Sequence, residues 1–212
     1  MEFYPINLKL TGRHCVVLGG GAVAERKAAA LLEAGGAVTV VSPRLTDTLQ
    51  EWGRSGRIQL RERGYTAGDL AGCFMAVCAT DDRNVNRQAA AEATSAGVLV
   101  NVADAPELSD FTVPARVVRG DLLLTVSTGG HSPALARRLR EELEEQYGPE
   151  YGQYLDLLAQ VRQSLKDQLA TSSERESFWR STIDQQTLAL LREGRRDEAE
   201  ERVRNAASST GT

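Results

Sequence analysis

The sequence predicts an α/β fold: a Rossmann-like parallel sheet, then a small α+β region, then a C-terminal helical domain. Three observations lead there. Between Arg13 and Val102, short Val/Ala/Leu runs alternate with longer helical stretches, the pattern of βαβ units whose strands are covered on both faces. The first run passes into three glycines that open a helix. From Asp110 the alternation stops, and two strand-like runs meet at Arg119-Gly120-Asp121 with no helix between them. These shifts divide the chain into 1–113, 114–149 and 150–212.

In order, "HCVVLG", "AVTVVS", "FMAVCA" and "VLVNV" read as strands, and "RIQLRER" as a weaker one. Ala22–Ala34 and Asn84–Ala96, rich in Ala and Leu, read as crossover helices, which makes the sheet doubly wound. "DFTVPARVVRGDLLLTVS" predicts an antiparallel hairpin. Ser132-Pro133 suit the cap and first position of a helix through Leu135, Leu139, Leu143 and Tyr147, stopped at Gly148-Pro149. A second helix is expected on Tyr154, Leu158, Val161, Leu165 and Leu169. A third opens at a "SERE" capping box, Ser173–Glu176, and runs through Phe178, Trp179, Ile183 and Leu190. A charged fourth covers Arg195–Arg204, and the tail "NAASSTGT" reads as disordered.

A 42% hydrophobic content over 212 residues supports a sizeable core. Twenty-five Lys and Arg against 29 Asp and Glu give a net charge of −4, so no overall basic field draws the chain to nucleic acid or anionic lipid. No apolar run approaches the roughly 18 residues of a membrane helix, and "MEFYPINLKLTGR" lacks a signal-peptide layout. The expectation is a cytoplasmic protein. Cys15, Cys73 and Cys78 show no metal-ligand spacing and read as reduced, packed thiols, so no metal site is expected.

Gly19-Gly20-Gly21-Ala22-Val23-Ala24 fits G-x-G-x-x-G/A after a strand: Gly19 turns the chain, Gly21 admits a pyrophosphate to the backbone, and Ala24 keeps helix and strand close. The amides of Ala22 and Val23, with the helix dipole, then face two negative charges, which points to a dinucleotide such as NAD. The second strand ends in Ser42, Pro43 and Arg44 where an acidic residue usually holds the adenosine ribose. Arg44 suits a 2′-phosphate, an adenine face or plain solvent. Thr80 ends a buried strand at the ligand-binding edge, and Asp81 or Asp82 suits the cap of the helix from Asn84.

Asp104, just past "VLVNV", is the first choice for a proton-transfer group. Glu107 and Asp110 are its rivals, and a turn-forming carboxylate is the plain alternative for both aspartates. "VSTGGHSPALARRL" repeats the glycine-loop logic: Ser127, Thr128, Gly130 and His131 precede the amides of a helix that carries Arg137 and Arg138, so the segment reads as a second anion site. An ordinary tight turn with solvated arginines is the alternative. His14 reads as structural.

With "GGGAVAERK", "ATDDRNVN", "NVADAPELSDF.VPA" and "STGGHSPALAR" in this order and spacing, the chain closely resembles the siroheme-synthase dehydrogenase/ferrochelatase family over about Pro5–Arg140. The resemblance implies a homodimer with a central dimerisation region, 114–149, and an active site between the first domain and that region. It implies oxidation of precorrin-2 by NAD to sirohydrochlorin and, in many members, insertion of ferrous iron, which is a substrate and not a bound cofactor. It makes Asp104 the catalytic aspartate and sets Arg116, Arg119, Arg137 and Arg138 around a polycarboxylate. Some members carry serine at Thr128, and His131 falls where the family varies. A different class of reading is a regulatory module that binds NAD and signals without chemistry. Such a sensor needs the first glycine loop but has no use for Asp104 with a second anion loop.

Overall fold

Five parallel strands, β1 (His14–Leu18), β2 (Ala37–Val41), β3 (Gln59–Arg61), β4 (Met75–Cys78) and β5 (Leu99–Val102), lie in the order β3-β2-β1-β4-β5. The order reverses at β1, so a crevice opens between the carboxyl ends of β1 and β4, the switch point where open α/β sheets bind ligands. The structure, a computed structural model, describes residues 3–164, 179 and 183–208. It divides into two compact units, Met1–Val113 and Pro114–Thr212.

In the first unit, alternate strand positions feed opposite faces of the sheet. Val16, Leu18, Ala76, Cys78, Val100 and Val102 pack with Ala89, Ala90 and Ala93 of helix α3 (Arg83–Ala96). Cys15, Val17, Val38, Val40, Met75 and Val77 pack with Ala24, Ala28 and Leu31 of α1 (Ala22–Glu33) and with Leu49 of α2 (Asp47–Arg54). Both faces are covered, which is why the strands read as nearly unbroken apolar runs. The sequence reading did not include α2. Its signal is Leu45, Leu49 and Trp52 at helical spacing behind a Thr46 cap, which accepts from the Leu49 amide at 3.3 Å. Gly53 in its last turn obscured it, and is there because a side chain would run into Leu60.

The loop before β4 is tied down by two carboxylates. Glu92 of α3 accepts from the Tyr65 hydroxyl and from the Gly68 and Leu70 amides at 3.0 and 2.9 Å. Asp69, whose side chain is buried, binds Arg61 and Arg63 at 2.7 Å each. Hydrogen bonds from Arg63 hold the Asp69 carboxyl far below the usual carboxylate range. The three cysteines are free and buried, and burial pushes the Cys78 thiol up to about 12. These thiols are apolar filling.

The second unit starts with a hairpin, β6 (Ala115–Arg119) and β7 (Leu122–Val126), turned by Gly120 at φ +57°. Helix α4 (Pro133–Gln146) follows, then α5 (Glu150–Ser164), α6 (Gln185–Arg192) and α7 (Arg196–Ser208). Gly152 lets α5 cross the hairpin turn, since a Cβ there would meet the Arg119 carbonyl carbon at 2.9 Å. Tyr154, Leu157, Val161, Leu188, Leu191, Ala199 and Val203 make the core of the three last helices, and Glu150 binds Arg192 at 2.8 Å.

Two expectations change here. Ile183 lies before the helix it was assigned to, because Asp184 caps α6 by accepting from the Gln186 and Thr187 amides at 2.7 and 2.8 Å. The start of the tail, Asn205–Ser208, continues α7 and is not disordered. The "SERE" box, Phe178, Leu165, Leu169 and residues 209–212 fall outside the described residues. Among the described residues no helix is long and apolar enough to cross a membrane.

Candidate active site

Three consecutive glycines do three different jobs. Gly19 has φ +114°, a region that side chains avoid, and a Cβ on it would collide with the Ala79 carbonyl at the end of β4. A Cβ on Gly20 would collide with the Arg44 carbonyl oxygen and come within 2.8 Å of Ser42 Oγ. Gly21 differs, with an ordinary extended backbone at φ −85° and nothing within 4 Å of the place a Cβ would take. Its bareness serves no packing purpose inside the protein. Gly21 is also the N-cap of α1 and offers no side-chain hydrogen bond, whereas Thr46, Asp82, Ser132 and Asp184 cap α2, α3, α4 and α6. The first-turn amides of α1, including Ala22 and Val23, have no intrahelical partner. An open side, bare amides and a positive helix end suit a phosphate group.

Around this loop, Ser42 is buried and turned inward, donating to the Arg44 carbonyl at 2.6 Å. Its hydroxyl shapes the turn. Pro43 and Arg44 are exposed. Thr80 donates to Asn86 Oδ1 at 2.8 Å, while Asp82 takes the capping role foreseen for one of the two aspartates, accepting from Asn84 at 2.8 Å. His14, as expected, is structural, with Nε2 3.0 Å from Thr39 Oγ1.

Asp104 lies two residues past β5 and is the one non-glycine residue with positive φ, +60°, among those described. That conformation costs about 1–2 kcal/mol for an ordinary L-residue, less for Asp. The surrounding hydrogen bonds hold it. Ala103 N donates to the Cys78 carbonyl at 2.8 Å, and Ser109 Oγ accepts from the Val102 amide at 2.9 Å while donating to the Ala105 carbonyl at 3.1 Å. Asp110 accepts from the Val100 amide at 2.9 Å, so this rival is a brace of the β5 edge and not a reactive group. Glu107 is exposed on a short 3-10 turn, Pro106–Leu108. Asp104 itself is exposed, with no hydrogen bond among the described residues.

In the second unit the Ser127–Ser132 loop folds on itself. Thr128 Oγ1 accepts from the Ser132 amide at 3.2 Å and donates to its carbonyl at 3.1 Å, Ser127 Oγ accepts from Gly129 N at 3.4 Å, and Gly129 and Gly130 have φ +61° and +82°. Ser132 caps α4. His131 and Arg137 are exposed, as is Arg116 on the outer side of β6. Arg119 departs from its expected role: its guanidinium donates to the Tyr147 and Glu144 carbonyls at 2.9 and 3.2 Å, closing the end of α4. Arg138 pairs with Glu142 at 2.9 Å.

Known families match along the whole of this arrangement. An NAD(P)-binding family model matches residues 6–115, a "Sirohaem biosynthesis protein central" model matches 119–146, and a "Sirohaem synthase dimerisation region" model matches 150–206. The chain belongs to the siroheme-synthase dehydrogenase family. Members of the family among its relatives are "Siroheme synthase" of Nitrosococcus oceani, 38% identical over 94% of this chain and 43% of that one, and "Siroheme synthase" of Methylobacillus flagellatus, 42% identical over 84% and 38%. The chain thus spans less than half the length of these relatives. Among solved structures, "SirC, precorrin-2 dehydrogenase" superposes with a TM-score of 0.77 at 29% identity, covering 96% of this chain and 100% of that one.

Within the family frame, the first unit is the nicotinamide-dinucleotide domain, and the bare Gly21 side with the uncapped α1 is the feature that fits such a cofactor. Two positions are not legible in the motif itself. Gly20 falls at its variable position. Lys27 falls inside "GGGAVAERK", where its signal is that it is a half-buried cation on a helix whose Ala24, Ala28 and Leu31 face the sheet. Asn101, a buried polar residue inside an apolar strand, was the second half of that signal. Among the described residues no three His, Cys, Asp or Glu side chains group to hold a metal ion.

Proposed function

We propose that this chain oxidises precorrin-2 to sirohydrochlorin with NAD, as a homodimer in siroheme biosynthesis, and that Asp104 is its general base. One observation carries the reading: a carboxylate is held in a strained turn at the carboxyl edge of the sheet, in the same unit as a helix end left bare for a dinucleotide. The SirC and siroheme-synthase likenesses support the substrate class.

The chain's own residues divide the work. Gly19 and Gly20 pack the turn, and Gly21 with the amides of Ala22 and Val23 holds the pyrophosphate. Thr80 borders the crevice, and Pro43 and Arg44 border the adenosine ribose, with Ser42 keeping their turn in shape. When bound, NAD supplies the two-electron acceptor that takes a hydride from the substrate. Asp104 accepts the accompanying proton, so the macrocycle loses one hydride and one proton in total. Ser127, Thr128, Gly130, His131, Arg116 and Arg137 receive substrate carboxylates. Ferrous iron enters this reading only as a further substrate.

The exposed pair Val118 and Leu123, opposite each other on the outer face of the hairpin, and α4, which buries none of its residues, form the apolar surface that suits a second copy. The dimerisation-region match covers 150–206, beyond the hairpin and α4, so it supports a dimer without bearing on this surface.

Asp104→Asn tests the assignment. NAD affinity should stay within about twofold, while precorrin-2 oxidation, followed by absorbance, should slow at least about a hundredfold, the usual contribution of a positioned base. Turnover close to that of the parent removes Asp104 from the mechanism, and binding of both ligands by the parent without oxidation restores the sensor reading.

A further inference from the structure

The turn after β2 is tied to the glycine loop. Ser42 donates to the Arg44 carbonyl at 2.6 Å, that carbonyl oxygen lies against Gly20, and the Thr46 amide donates to the Gly20 carbonyl at 2.9 Å. The backbone of Arg44 is thus held against the glycine that precedes Gly21, beside the open side that suits a phosphate group. Its side chain is exposed and makes no hydrogen bond or ion pair among the described residues. At this place, about 20 residues beyond the glycines, an Asp or Glu ordinarily accepts from the adenosine ribose hydroxyl. No carboxylate takes that role here. Residues 42–44 are Ser, Pro and Arg, and the Ser42 hydroxyl is engaged in the turn. On the neighbouring strand, Arg61, paired in register with Val41, and Arg63 hold Asp69, whose buried carboxylate lies 2.7 Å from each. Asp47, the next acidic residue along the chain, lies beyond the Thr46 cap in the first turn of α2.

We propose that this site accepts a 2′-phosphorylated dinucleotide, NADP, as well as NAD, and that Arg44 is the residue that receives the 2′-phosphate. The inference rests on the glycine loop being a dinucleotide site. The physical reason is charge. A carboxylate at the end of β2 would repel a 2′-phosphate, whereas a guanidinium presents a fork of N–H donors that matches phosphate oxygens in pairs. Because Arg44 is exposed, solvent and salt weaken the pairing, so the gain is modest and NAD is not excluded. The NAD ribose hydroxyl, for its part, finds no carboxylate to accept from it, which removes the interaction by which such sites prefer NAD.

Calorimetric titration of the full chain with NAD and with NADP is the test. The two dissociation constants of the parent should agree within about tenfold. Arg44→Ala should lose about tenfold more affinity for NADP than for NAD, the worth of one charge-assisted contact at an exposed site. Arg44→Glu, which puts a carboxylate in this place, should widen that difference to about a hundredfold through like-charge repulsion. Raising the salt concentration should weaken NADP more than NAD in the parent and both alike in Arg44→Ala. The melting temperature should stay at the parent's value in both variants, because only the backbone of Arg44 takes part in the turn. A parent that binds NADP more than about tenfold more weakly than NAD, or an equal loss of both nucleotides in Arg44→Ala, overturns the proposal. A parent that binds neither nucleotide overturns it too, but through the failure of the dinucleotide reading, which the titration with NAD reports by itself.

Discussion

Gly21→Ala should separate cofactor binding from folding, a separation its two neighbours do not allow. The new methyl meets nothing within 4 Å in the protein, and φ −85° is open to any residue. Two small effects on stability oppose each other. Alanine is a poorer N-cap than glycine by several tenths to about 1 kcal/mol, and it restricts the unfolded chain by about 0.4–1 kcal/mol in the other direction. The melting temperature should therefore stay within about 4 °C of the parent's. On the proposed reading, the methyl occupies the space through which phosphate oxygens reach the α1 amides. Losing one charge-assisted hydrogen bond there costs about 1.5–3 kcal/mol, which raises the NAD dissociation constant about 10- to 100-fold. Calorimetric titration with NAD, beside a thermal melt, reads both quantities. Gly19→Ala is the contrast, since it combines about 1–3 kcal/mol of backbone strain with displacement of the Ala79 carbonyl and should lower the melting temperature by roughly 5–10 °C. Gly21→Ala binding NAD as tightly as the parent, or melting as early as Gly19→Ala, would refute the assignment of the open side of Gly21 to phosphate.

Asp69→Asn should destabilise the first unit by about 1.5–3 kcal/mol at pH 7, because it replaces the carboxylate that accepts from the partly exposed Arg61 and Arg63. The Asp69 carboxyl is depressed in the folded state, so its stabilisation is full above the unfolded value near 4 and is lost as pH falls below it. The gap between parent and variant in urea melts should accordingly shrink below about pH 4, and a gap that widens there would contradict the ion-pair account. Leu123→Asp should shift the chain from dimer to monomer in light scattering. Burying one leucine is worth about 1.5–3 kcal/mol, and twofold symmetry counts it twice, so dimer affinity should fall at least about a hundredfold; an unchanged mass at micromolar concentration moves the interface elsewhere.

The segments read correctly from sequence are those whose physics is local. The buried strands from "HCVVLG" to "VLVNV" show in composition, α4 shows in its Ser132-Pro133 start, and the hairpin shows in Gly120, since each depends on neighbours within a few residues. Helix α2 was obscured by a glycine whose reason is Leu60, a residue on another element. Arg119 looked like a substrate ligand because nothing near it in sequence shows that the Glu144 and Tyr147 carbonyls end beside it.

By itself the sequence determined that a glycine-rich turn joins a buried strand to a helix and that Asp104 follows the last strand of the sheet. Folding in three dimensions decided which glycine packs and which stays open, because Gly19 and Gly20 are bare on account of Ala79 and Arg44, distant in the chain and adjacent in the fold. It also decided that Lys27 meets Asn101 across 74 residues. That meeting depends on strand order and on the side of the sheet α1 covers, which are set by how the whole core closes and leave no periodicity in the chain to be read.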